Sequence, residues 1–160
     1  MPITPIAGLF EIALSVSALL GHKSVKAEII ISSEPEVVWQ VLTDLESYPQ
    51  WNPVFVVLDG EFKQGGKVSY QVTEAENKSA TISASVNKIV PNKLINQSGG
   101  LWGVITFDHT YTLTEVEQGT KVTIYEEYTG AYVHFWDESQ IAEQYKKLAQ
   151  ALKTRVNELN

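Results

Sequence analysis

The sequence predicts an α+β fold in which a curved antiparallel sheet wraps around a long C-terminal helix, and three observations carry that expectation. Between residues 54 and 130, apolar and polar residues alternate in runs separated by short spacers marked by Gly, Asn or Pro, the pattern of antiparallel hairpins. A capped amphipathic stretch at residues 33–45 follows the first β-branched run. A second amphipathic stretch ends the chain, with Ile141, Tyr145, Leu148, Leu152 and Val156 down one side. A sheet is the only surface large enough to cover that stripe.

The chain has 160 residues, the size of one domain with a single core, and its 44% apolar content is enough to fill one. Without internal repeats, low-complexity tracts or linkers, the expected division is an apolar helical extension at 1–24 and one domain at 25–160. Within the extension, residues 3–20 (ITPIAGLFEIALSVSALL) are apolar on nearly every helical face, with Glu11 near the centre and Lys23 and Lys26 following. Three readings stay open. A signal peptide fits the apolar run and the small residue Ala27, but no basic residue precedes the run. A membrane anchor is barely long enough and puts Glu11 into hydrocarbon at a cost of about 2.5–3.5 kcal/mol. A helix lying over apolar surface elsewhere on the protein keeps Glu11 at its edge.

From Val25 the run VKAEIIIS is rich in β-branched residues and predicts a strand. Ser33, with Glu36 three residues on and Pro35 between them, makes a capping box, so a helix is expected to start there. Val37, Val38, Val41, Leu42 and Leu45 recur at helical spacing and face inward, and Pro49 is expected to stop the helix. The runs VFVVLDG, GKVSYQV, KSATISASVNKIV, KLINQS, WGVITFDHTYTLTEV and GTKVTIYEEYTG supply the strands. Gly65-Gly66, Glu76-Asn77, Pro91-Asn92 and Gln118-Gly119 mark turns, and SGGLWGV at 98–104 either bends the sheet or forms a rim loop, with the bend favoured. Asp137 caps the last helix, with Gln140 three residues later.

This order of elements resembles the helix-grip fold of the START/Bet v 1-like superfamily. The stretch VVWQVLTDLESYPQWNP resembles the opening of its polyketide cyclase/dehydrase and lipid-transport branch, through Trp39, Leu42, Thr43, Asp44, Tyr48, Pro49, Trp51, Asn52 and Pro53. The resemblance covers 25–160 and implies a hydrophobic cavity between the sheet and the last helix. It also implies lipid, hormone or quinone binding, as in some members, or cyclisation and dehydration of polyketides, as in others. The apolar extension before Val25 departs from that pattern. Tyr48, Trp51 and Trp39 are then expected where the helical segment meets the sheet rim. Prolines fix the backbone there while the aromatics supply buried area, which locks the short helices down; a gate over the cavity mouth is the other reading.

Alternation puts Ile105, Phe107, His109, Tyr111 and Leu113 on one face of their strand, and Val122, Ile124, Glu126 and Tyr128 on the same face of the next. With a turn at Gln118-Gly119, Leu113 lies opposite Ile124, Tyr111 opposite Glu126 and His109 opposite Tyr128. Four polar groups then meet on the concave side, Tyr70 adds a hydroxyl, and the small Ala80 and Ala84 leave space. The ligand-contacting set expected on this basis is Tyr70, Phe107, His109, Tyr111, Glu126, Tyr128, Tyr145 and Leu148. A guest with an apolar body and one polar head fits such a pocket. His109 or Glu126 is the candidate general acid/base if the site is catalytic, with a tyrosine as hydrogen-bond donor. The same groups equally serve to satisfy one another's hydrogen bonds beneath the helix.

The net charge of −7 repels phosphate backbones, so no nucleic-acid partner is expected. The chain has no cysteine, which fits a reducing compartment, and a cytoplasmic location is expected, with membrane association through residues 3–20 as the alternative. GEFKQGGK lacks the glycine spacing of a phosphate loop and has Val68 where Ser or Thr would hold magnesium. His22, His109 and His134 show no paired metal-ligand spacing. No metal and no cofactor is expected, and the expected partner is a small hydrophobic molecule; an interaction protein whose N-terminal segment docks on a membrane or another subunit, with the cavity closed, is the third expected role.

Overall fold

The computed structural model describes residues 20–75 and 78–159. Residues 1–19 of the expected helical extension at 1–24 and the Glu76-Asn77 turn lie outside these described residues, and residues 21–24 are strand where helix was expected. In chain order the elements are β1 (Gly21–Ile31), α1 (Pro35–Thr43), a 3-10 turn (Leu45–Ser47), α2 (Tyr48–Trp51), β2 (Phe55–Gly60) and β3 (Lys67–Ala75). There follow β4 (Lys78–Val90), β5 (Leu94–Leu101), β6 (Ile105–Val116), β7 (Gly119–Gly130), a second 3-10 turn (Ala131–Phe135) and α3 (Ser139–Leu159). The seven strands form one antiparallel sheet in the order β1-β7-β6-β5-β4-β3-β2. The first strand therefore pairs with the last, and the α1–α2 segment carries the chain from one edge of the sheet to the other. This curved open sheet with its long C-terminal helix is the helix-grip arrangement.

The last helix buries Tyr145, Leu148, Ala149, Leu152 and Val156, chiefly against β1 and α1. At its start, the Asp137 carboxylate accepts the Ser139 N–H at 2.9 Å, satisfying one of the donors a helix leaves open. Lys23 of β1 clamps the same corner, donating to the Trp136 carbonyl and pairing with Glu138 at 2.7 Å. These bonds need Lys23 in the sheet, and β1 does begin at Gly21, four residues ahead of the β-branched run. Backbone pairing with β7, from Gly21 opposite Gly130, recruits polar residues that side-chain pattern alone leaves out.

Three local expectations are corrected. The N-cap of α1 is Glu34, not Ser33, and the Glu34 side chain makes no capping hydrogen bond. Pro35 at the first helical position forces the residue before it into an extended conformation, φ −65° and ψ 149°, which defines the cap. Pro49 does not end that helix, which has already closed at Asp44; it sits in the first turn of α2, where its missing N–H costs nothing. Residues 102–104 are the tip of the β5–β6 hairpin, with Leu101 opposite Ile105 and Trp102 81% exposed, where a bend was expected.

The aromatic and proline-rich corner holds α2 against the sheet. Tyr48 donates to the Leu42 carbonyl at 2.7 Å, its ring meets Trp51 edge-on at 5.2 Å, and Trp51 donates to Ser47 at 3.2 Å. Asn52 Oδ1 then accepts the backbone N–H groups of Val54 at 3.0 Å and Phe55 at 2.8 Å, aiming the chain into β2. Both donors would be stranded in Asn52→Ala. Chemical denaturation is expected to show a loss of about 2 kcal/mol for this variant, and a loss under about 0.5 kcal/mol would show that the turn holds without the side chain.

Candidate functional site

The β6–β7 hairpin pairs Val116 with Gly119, so the two residues at its tip are Glu117 and Gln118. Gly119, at φ 123°, takes the conformation that closes this turn. The expected pairing is thereby shifted by two residues: Phe107 lies opposite Tyr128, His109 opposite Glu126, and Tyr111 opposite Ile124. A shift of two preserves the face of every side chain. One cross-strand row on the concave side reads Val86, Gln97, His109, Glu126 and Val25 from β4 to β1, polar in the middle and apolar at both ends.

That row is wired. Tyr128 and Tyr145 both donate short hydrogen bonds to Glu126 Oε2. His109 Nδ1 lies 3.1 Å from the Tyr145 hydroxyl oxygen and 3.8 Å from Glu126 Oε1. Gln97 Nε2 donates to the Tyr70 hydroxyl at 2.8 Å. Burial pushes the Tyr128 and Tyr145 phenols well above their usual range, and the charge of Glu126 adds to the shift, so both keep the protons they donate. Burial raises Tyr111 likewise. His109 and Tyr111 are 5% and 4% exposed, yet His109 Nε2 and the Tyr111 hydroxyl have no hydrogen-bond partner among the described residues. Leaving such groups unpaired costs about 1–3 kcal/mol each.

Both residues line a cavity whose walls are Tyr48, Phe55, Tyr70, Ile82, Ala84, Gln97, Phe107, His109, Tyr111 and Glu126. It measures about 30 Å³ where the centre of a water molecule fits, inside about 370 Å³ of unfilled space that includes its mouth. Phe55, Ile82 and Phe107 are half-buried while the polar lining residues are buried, so these apolar side chains are the more exposed part of the lining, its rim. A glycine makes room for one of them: a Cβ at Gly99 would lie 2.7 Å from the Phe107 ring and 2.3 Å from the Ser83 carbonyl oxygen.

A family model described as polyketide cyclase / dehydrase and lipid transport matches residues 22–157. The chain belongs to that family. Solved structures agree on the fold. The Zhui aromatase/cyclase from Streptomyces sp. R1128 superposes with a TM-score of 0.71 at 14% identity, over 86% of this chain and 94% of that one. TTHA0849 from Thermus thermophilus gives 0.70 at 17% identity, over 86% and 99% of the two chains. Ara h 8.0201 gives 0.63 at 12% identity, also over 86% and 99%. No curated protein matches the chain in sequence. The family match supports a role in binding a small hydrophobic ligand or in cyclisation. Among the described residues, no helix is long and apolar enough to cross a membrane.

Of the residues singled out from sequence, Tyr70, Phe107, His109, Tyr111 and Glu126 lie on the cavity wall. Tyr128 and Tyr145 do not; they stand behind Glu126 and hold it, and Tyr128 packs on Trp136 at 4.4 Å. Leu148 is 1% exposed in the main core and is not among the residues lining the cavity. Sequence reasoning missed Gln97 and Phe55. Gln97 had a signal, since it shares strand parity with buried Ile95; Phe55, the first residue of β2, had none.

Proposed function

We propose that the protein binds one small, mainly apolar molecule with a polar head, the head lying against His109 and Tyr111 and the body between Phe55, Ile82 and Phe107. One observation carries this reading: two buried residues, each with a polar atom that has no partner among the described residues, line the same largely apolar hollow. A core built only for stability pairs such groups or omits them. The narrow space implies a guest about the size of one or two rings that parts the rim aromatics as it enters. Alongside this role, residues 3–20 are retained as a candidate membrane-docking element and the cytoplasm as the expected location.

An enzymatic reading draws on the same geometry. The imidazole is oriented through Nδ1 by Tyr145, with Glu126 beside it, and its other nitrogen has no partner among the described residues, as a general acid/base requires. In that reading His109 exchanges the proton and Tyr111 stabilises a developing oxyanion.

Native mass spectrometry of the gently purified full chain tests the binding reading. A one-to-one guest is expected, and Ala84→Leu, which fills the cavity from β4, is expected to weaken its retention at least tenfold without unfolding the protein. A chain that carries no guest and takes up no lipid, quinone or polycyclic aromatic on titration would remove the proposal.

A further inference from the structure

The proton count around His109 narrows the class of guest, given that the cavity binds one. Each phenol has a single proton. Tyr145 gives its own to Glu126 Oε2, so at 3.1 Å its oxygen is left to accept from His109 Nδ1. The other oxygen near that nitrogen, Glu126 Oε1 at 3.8 Å, is also an acceptor. Tyr128 occupies Glu126 Oε2 as a second donor and supplies nothing to the imidazole. Every polar neighbour of Nδ1 therefore asks it to carry the ring proton, and a neutral imidazole protonated there offers only a lone pair at Nε2. Beside it, Tyr111 keeps its proton and is a donor, and the two rings meet edge-on with centroids 4.7 Å apart.

We infer that the site selects a hydroxyl group, a phenol or enol on an apolar body, whose O–H donates to His109 Nε2 while its oxygen accepts from Tyr111. With the ring centroids 4.7 Å apart, one hydroxyl placed between the two rings would satisfy both stranded atoms. A ketone or ether meets Tyr111 but faces the bare His109 nitrogen lone pair to lone pair. A carboxylate does the same and adds a charge close to Glu126. The preference is for a neutral donor, which an apolar cavity alone would not impose.

The test uses the full-length protein with phenol, anisole, toluene and benzoate, probes of similar size that differ in the head. Nitrogen-15 spectra of the free protein should show His109 protonated at Nδ1 and bare at Nε2, and phenol should shift the Nε2 resonance. Calorimetric titration should place phenol at least about tenfold tighter than anisole, toluene or benzoate, and Tyr111→Phe should reduce that margin while toluene binding stays unchanged. Equal binding of phenol and toluene, tightest binding of benzoate, or a proton on Nε2 would each overturn the hydroxyl class and leave the binding site standing. Failure of all four probes to perturb His109, Tyr111 or Phe107 resonances would overturn both the class and the binding reading.

Discussion

Glu126→Leu is expected to destabilise the protein by about 3–5 kcal/mol in chemical denaturation, more than its similar volume implies. The carboxylate is 5% exposed and receives the hydroxyls of Tyr128 and Tyr145. Leucine fills the space but accepts nothing, so two buried donors lose their acceptor at about 1–3 kcal/mol each. The penalty comes from the partners left behind rather than from the lost charge, since well-packed apolar replacement of a whole buried network is often neutral. The triple variant Glu126→Leu, Tyr128→Phe, Tyr145→Phe is therefore expected to recover most of the loss. It should stop about 1–2 kcal/mol short of the starting protein, because His109 Nδ1 no longer has the Tyr145 oxygen. A single variant within about 1 kcal/mol of the parent, or a triple variant worse than the single, would show that these bonds do not hold the hollow open.

The coupling between the polar row and the fold explains what was legible in the sequence. Each strand's own alternation decides which face a side chain takes, so His109, Tyr111 and Glu126 could be placed inside without knowing any pairing. Partners could not be placed, because pairing depends on where the turn closes. The β6–β7 loop closes between Val116 and Gly119, which moves Glu126 from Tyr111 to His109 and changes the chemistry while leaving the face intact. Phe55 and Tyr48 reach the cavity only because α1 and α2 cross the sheet, and that path is set by contacts far apart in sequence. The Asn52 and Tyr48 bonds that fix the corner run from side chain to backbone, and no hydrophobic period encodes them.

Leu148→Ala is expected to cost about 2–5 kcal/mol of stability while leaving affinity for a cavity guest unchanged within about twofold. The stripe on α3 shows that Leu148 is buried but not against what. Its side chain is 1% exposed within the cluster formed with Ile31, Val38, Leu42 and Leu152, and it is not among the cavity walls. Truncation there opens a void in packed core, where the loss is the transfer energy of the removed methyl and methylene groups plus the contacts their neighbours no longer make. A residue on the wall of the hollow would behave in the opposite way: shortening it would enlarge a space that already exists, cost less stability and alter which guests fit. Denaturation and guest titration on the same variant separate the two, and a small stability loss with altered guest affinity would place Leu148 on the site after all. The expected split, large in stability and absent in binding, follows from α3 packing chiefly on β1 and α1 with Leu148, Leu152 and Val156 buried, while Tyr145 makes its hydrogen bonds to the polar row.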